Sequence, residues 1–142
     1  MRFMILVKAT PQTEAGVMPD EGLMAAMAEY HEQLVKAGVL LDAAGLRCSS
    51  KGWRIRHSGG RRTVIDGPFT ESKDLVAGYT IIQVRSREEA LEWTRRFPAP
   101  QGDNGDAEIE VRQLFELEDF APSEAIERFR DLTASQAQQE AS

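Results

Sequence analysis

The sequence predicts an α+β domain that runs strand, helix, strand, strand, helix, strand, with one hairpin inserted between the second and third strands. Three observations predict it. Two segments of helical periodicity each begin at a capping residue and are flanked by short apolar runs. A basic, alternating segment turns back on itself at Ser58-Gly59-Gly60. The length of 142 residues suits one domain with one hydrophobic core.

The elements follow in order. Residues 3–7 are apolar throughout, with Phe3, Ile5 and Val7 on one side and Met4 and Leu6 on the other, so both faces of this strand are expected to be covered. Two prolines and a glycine mark residues 10–19 as a loop. Asp20 caps a helix whose stripe is Leu23, Met27, Tyr30 and Leu34, and Gly38 stops it. A second strand is expected over residues 39–46, and the hairpin over residues 53–57 and 63–65. Residues 77–85 form the clearest strand. Ser86 with Glu89 is a capping-box signature for a helix bearing Ala90, Trp93 and Phe97. A glycine-rich loop is expected at residues 100–106, then an alternating strand over residues 108–116. Residues 121–142 are expected to be a short helix around Ala125, Ile126 and Phe129 followed by a disordered tail.

Two split βαβ units of this kind interlock into an antiparallel sheet with both helices on one side, the ferredoxin-like arrangement. The other sheet face then needs a cover, and no further long helix is expected in the chain. A second copy of the same sheet is the simplest cover, which gives a homodimer with a cavity between sheets.

Composition excludes several functions. A net charge of -6 without an extended basic cluster argues against nucleic acid as a partner. The apolar runs are far shorter than a membrane helix requires. Met1 leads straight into a strand, so no signal peptide is expected, and the single Cys48 fits a cytoplasmic protein without disulfides. No phosphate loop, dinucleotide fingerprint or metal-spaced histidine pair is present, so neither a cofactor nor a metal is expected.

The stretch from Thr63 through Asp66-Gly67-Pro68-Phe69 to Tyr79 resembles the hallmark of the DGPF subgroup of YCII-related proteins. Met4-Ile5-Leu6-Val7-Lys8, Ala37-Gly38-Val39-Leu40, Ser86-Arg87-Glu88-Glu89-Ala90 and Ile109-Glu110-Val111-Arg112-Gln113 match it in order, over residues 1–120. The resemblance implies a dimeric α+β barrel with a histidine and an aspartate in the dimer cleft. It implies small-molecule lyase activity, such as dehydrochlorination, in some relatives. It also implies a regulatory link to extracytoplasmic-function sigma factors, beside which many members are encoded.

His31 and Asp66 are the candidate catalytic residues. A histidine moves protons near neutral pH, and a carboxylate in a cleft can orient it or accept a substrate proton. The plain packing alternatives are a histidine on the flank of its helix and a turn aspartate that accepts the backbone N–H of Phe69. Phe69, Arg112 and Asp42 are the candidate ligand contacts: an aromatic wall, an anion-binding guanidinium and a cleft carboxylate. Core packing for Phe69 and solvated positions for Arg112 and Asp42 are the alternatives. The functional expectation is a small-molecule-binding dimer with acid–base lyase or isomerase-type chemistry. The alternative is a non-enzymatic ligand-sensing module linked to a sigma factor.

Overall fold

The computed structural model describes residues 1–71, 74–100 and 106–141. The chain runs β1 (Arg2–Lys8), α1 (Pro11–Glu14), α2 (Glu21–Lys36), β2 (Leu40–Gly45), a 3-10 turn (Ser49–Lys51), β3 (Trp53–Ser58) and β4 (Arg61–Asp66). It continues with β5 (Val76–Gln83), α3 (Arg87–Arg95), β6 (Ile109–Gln113), a second 3-10 turn (Leu117–Asp119) and α4 (Glu124–Glu140). Strands β2, β5, β1 and β6 lie in that order in one antiparallel sheet. This is the expected ferredoxin-like sheet, and β3 and β4 form the inserted hairpin as a sheet of their own.

Local chemistry sets the boundaries. Asp20 accepts the N–H of Leu23 at 2.8 Å and starts α2. At its end Val39 N–H returns to Leu34 C=O while Gly38 sits at φ +73°, a conformation that glycine reaches without a Cβ penalty. In the hairpin, Gly59 and Gly60 both have positive φ between the paired Ser58 and Arg61, the two-residue turn that fits the twist of its strands. Ser86 caps α3 through Glu89 N–H at 3.1 Å. The expected box is incomplete, because the Glu89 carboxylate reaches past the cap and accepts the N–H of Arg85 at 3.0 Å.

Helices α2 and α3 pack on one sheet face. Phe3 and Ile5 of β1, Ile82 of β5, Tyr30 and Leu34 of α2, Ala90 of α3 and the neighbouring Phe97 make one buried cluster. Tyr30 ties the two helices together: its ring meets Phe97 edge-on at 5.2 Å, and its hydroxyl donates to the Trp93 carbonyl at 2.8 Å. Burial pushes its phenol up to about 12, only partly offset by the nearby Arg96. A raised folded-state value gives stability that is whole below pH about 10 and lost as pH rises towards 12. At roughly 1.4 kcal/mol per pH unit the loss is roughly 2–3 kcal/mol. Urea titrations of wild type and Tyr30→Phe at pH 9 and 11.5 should therefore diverge, the wild type losing more. Equal losses would mean that Tyr30 does not titrate with folding.

Two expectations are corrected. The segment read as a loop after β1 contains α1, because Thr10 caps it and Pro11 occupies its first turn. The C-terminal segment is a 17-residue helix that includes the small polar residues expected to be disordered, with Ser123 as its cap. Alanine and glutamine are good helix formers, and the lack of apolar surface did not prevent the helix. The principal contact of α4 is with the second 3-10 turn, where Arg130 pairs with Glu118 at 3.4 Å. It contributes nothing to the buried cluster. Residues 101–105 of the expected glycine-rich loop, and Ser72 and Lys73 of the hallmark stretch, lie outside the described residues.

Candidate functional site

The sheet face opposite the helices carries the most organised set of functional groups among the described residues. Strand register fixes it. One row across the sheet is Asp42, Ile81, Met4 and Arg112, and the next is Ala44, Tyr79, Leu6 and Glu110. The middle of both rows is apolar, and Met4, Leu6, Tyr79 and Ile81 are only partly buried. Ionised groups stand at both edges.

At the β2 edge, Asp42 is held at both oxygens. Oδ1 accepts the N–H of Ala43 at 2.9 Å and Oδ2 accepts the Tyr79 hydroxyl at 3.0 Å. The hydrogen bond to this carboxylate, and then its charge, raise the Tyr79 phenol above its ordinary value. Tyr79 therefore stays protonated and serves as a fixed donor. At the β6 edge, Arg112 donates to Glu110 at 3.2 Å, and Lys8 approaches the other Glu110 oxygen at 3.9 Å. Asp42 and Arg112, both expected ligand contacts, thus share one face but stand three strand spacings apart, about 14 Å.

His31 belongs to the other side of the sheet. Its Nδ1 lies 2.7 Å from the Met27 carbonyl, which can only accept, so Nδ1 donates. Its Nε2 lies 2.9 Å from the hydroxyl of the buried Thr80 of β5. Asp66 ends the hairpin, exposed and opposite Trp53. No hydrogen bond, ion pair or ring contact joins His31 to Asp66 among the described residues, so a single chain does not assemble them as an acid–base pair.

The expected turn contact of Asp66 is also corrected. The N–H of Phe69 donates to Ser49 Oγ at 2.9 Å instead. The reason is the close seating of the turn on the first 3-10 segment. Gly67 N–H bonds Gly52 C=O at 3.0 Å, and a Cβ at Gly67 would fall 1.8 Å from the Ser49 carbonyl oxygen. Ser49 in turn gives its hydroxyl and its N–H to the Glu14 carboxylate of α1. Phe69 lies under the Arg54 guanidinium at 3.8 Å, so its ring braces the hairpin base.

Sequence reasoning missed two of these arrangements. Tyr79 was legible: once β2 is paired with β5, Tyr79 falls diagonally across from Asp42, within reach of a long side chain. The Glu14–Ser49 contact spans 35 positions and carries no spacing signal. Among the described residues no helix is long and apolar enough to cross a membrane.

Comparison with known proteins gives three likenesses. The family model of the YCII-related domain matches residues 1–118. An uncharacterized protein of Rhizobium meliloti (strain 1021), R00369, is 31% identical over 96 residues, which are 68% of this chain and 77% of that protein. Among solved structures, 5-chloro-2-hydroxyhydroquinone dehydrochlorinase from Burkholderia phenoliruptrix AC1100, in complex with 2,5-dihydroxybenzoquinone, aligns with a TM-score of 0.42 at 16% identity. That alignment covers 85% of this chain and 100% of the other.

Proposed function

The chain belongs to the YCII-related domain family, and from that premise we propose that it works as a homodimer binding a small molecule between two facing sheets. The observation that carries this reading is the open sheet face, apolar in the middle and lined at its edges by pre-oriented polar groups. An isolated sheet leaves this face to water. Two copies related by a two-fold axis bury it; sheets in full contact stand about 10 Å apart with their side chains interdigitated, so a ligand would occupy the space where facing side chains do not meet.

Composite sites follow from the dimensions. Within one chain Asp42 and Arg112 are too far apart for one small ligand to touch both. A two-fold axis can bring the Asp42 edge of one sheet towards the Arg112 edge of the other, so each site would draw on both chains. Asp42 then takes a proton from an acidic C–H or O–H of the ligand and returns it to a neighbouring atom. Tyr79 donates to Asp42 and holds it in place. Arg112 binds an anionic group, the usual partner of a guanidinium. Return of the proton to a neighbouring carbon completes an isomerisation; departure of an anionic leaving group from that carbon as the double bond forms, with the proton passing from Asp42 to solvent, completes the elimination of a lyase. The contacts of His31 with Met27 and Thr80 support a positioning role between α2 and β5.

Asp42→Asn tests the assignment. The amide oxygen still accepts from Tyr79 or Ala43, so stability should fall by less than about 1 kcal/mol. A panel of small carboxylated and hydroxylated aromatics, screened by thermal shift, should yield ligands that stabilise the wild type, since specific binding raises the melting temperature. Asp42→Asn should lose most of that ligand-induced shift and any turnover. Full retention of both would remove Asp42 from the site.

A further inference from the structure

Asp42 and Tyr79 come from neighbouring strands and meet on the open sheet face. The residue directly opposite Tyr79 is Ala44, whose small side chain leaves the phenol room to lean across to Asp42. The N–H of Ala43 pins Oδ1 of the carboxylate at 2.9 Å, and the Tyr79 hydroxyl donates to Oδ2 at 3.0 Å. Oδ2 keeps a further lone pair and the hydroxyl rotates, so each group can also face a ligand. A base and an acid therefore stand one hydrogen bond apart. Proton transfer from carbon to oxygen needs this arrangement: one group takes a proton from the carbon while the other gives one to the oxygen.

We propose that Tyr79 is a catalytic acid as well as the support of Asp42, and that the site acts on enolisable carbonyl compounds that carry an anionic group. The inference rests on the composite-site reading and deepens it. Asp42 Oδ2 takes the proton of a C–H beside the carbonyl. The C–H electron pair becomes a C=C bond, the carbonyl π pair moves to the oxygen, and that oxygen takes the Tyr79 proton. The phenolate left behind recovers a proton from the Asp42 carboxyl across the 3.0 Å hydrogen bond. The ketone has become an enol, and both side chains are back in their starting states. Electrostatics sets the timing. The hydrogen bond to the carboxylate, and then its charge, keep the phenol protonated at rest, and both are lost once Asp42 is protonated. Tyr79 thus becomes the stronger acid as negative charge arrives on the ligand oxygen. Met4, Leu6 and Ile81 give the rest of the ligand an apolar floor, and Arg112 pairs with its anionic group.

Phenylpyruvate is the probe, because it joins an aromatic ring, a carboxylate and an acidic C–H beside a ketone. Its enol absorbs in the ultraviolet, and the absorbance falls as the ketone forms, the same transfer run backwards. The wild-type protein should speed this decay over buffer alone, and the rate should saturate with probe. Tyr79→Phe keeps the ring and removes only the hydroxyl; it should lower kcat by about 100-fold with KM within about threefold of wild type. Asp42→Asn should lose as much, and the double variant should fall no further, since groups that act as one unit are not additive. A loss below about tenfold in Tyr79→Phe, with Asp42→Asn inactive, overturns the acid and leaves Asp42 as the base. A double variant that falls by the product of the two losses puts the groups on separate steps and overturns the relay. Full rates in both single variants remove Asp42 from the chemistry and Tyr79 with it. A wild type that leaves the decay at the buffer rate overturns the enolisable class, while the dimer and its Asp42-dependent thermal shifts stand or fall on their own measurements.

Discussion

Gly67→Ala is expected to destabilise the protein by roughly 3–5 kcal/mol, at or beyond the upper end of the range for overpacking. The new Cβ would lie 1.8 Å from the Ser49 carbonyl oxygen and 2.6 Å from its carbon. Both are backbone atoms, so no rotamer change relieves the clash. The turn must lift away, which breaks Gly67 N–H to Gly52 C=O and Phe69 N–H to Ser49 Oγ together. The hairpin then loses its brace at the base, where Phe69 supports Arg54. Gly52→Ala is the matched control, since its Cβ would meet the same carbonyl oxygen at an ordinary 3.7 Å. Urea titration gives the loss, and amide exchange at Gly67 and Phe69 locates it. Wild-type stability with protected amides in Gly67→Ala would show that the turn is not seated on Ser49.

Ile81→Asp is expected to dissociate the dimer by at least about a thousandfold. Ile81 lies mid-row between Asp42 and Met4, on the face assigned to the partner sheet. A carboxylate there is desolvated twice, once per chain, and each burial costs about 2 kcal/mol or more. In the single chain the site is only partly buried, so the folded monomer should survive. Thr80→Val is a useful contrast. Its hydroxyl faces His31 on the helix side, and its loss should affect folding rather than association. Unchanged association by Ile81→Asp would take the open face out of the interface.

Much of the fold was legible because its determinants are local. Asp20, Gly38, Ser86 and the Gly59-Gly60 turn mark their boundaries by chemistry that acts within four residues. The period of two in residues 3–7 separated the helix-side Phe3 and Ile5 from Met4 and Leu6, and with the count of elements it pointed to one uncovered face. The length of α4 was not legible, because small polar residues are consistent with either a solvated helix or disorder. The site was legible in part. Asp42 and Arg112 were named from their strands, and pairing β2 with β5 and β1 with β6 puts them on one face. His31 and Asp66 were named from residue type and from the family resemblance, neither of which fixes the side of the sheet. His31 turns to Thr80 because α2 packs on the covered face, and Asp66 stays with the hairpin. The Ser49 contacts to Glu14 and Phe69 join segments distant in sequence and left no local trace.

A second copy is proposed to close the face bearing Met4, Leu6, Tyr79 and Ile81. Sedimentation equilibrium of the wild-type chain at micromolar concentration tests it most directly. The predicted result is a particle of two 15.8 kDa chains that Ile81→Asp converts to one. A wild-type particle of a single folded chain, with the sheet face open to water, would contradict it.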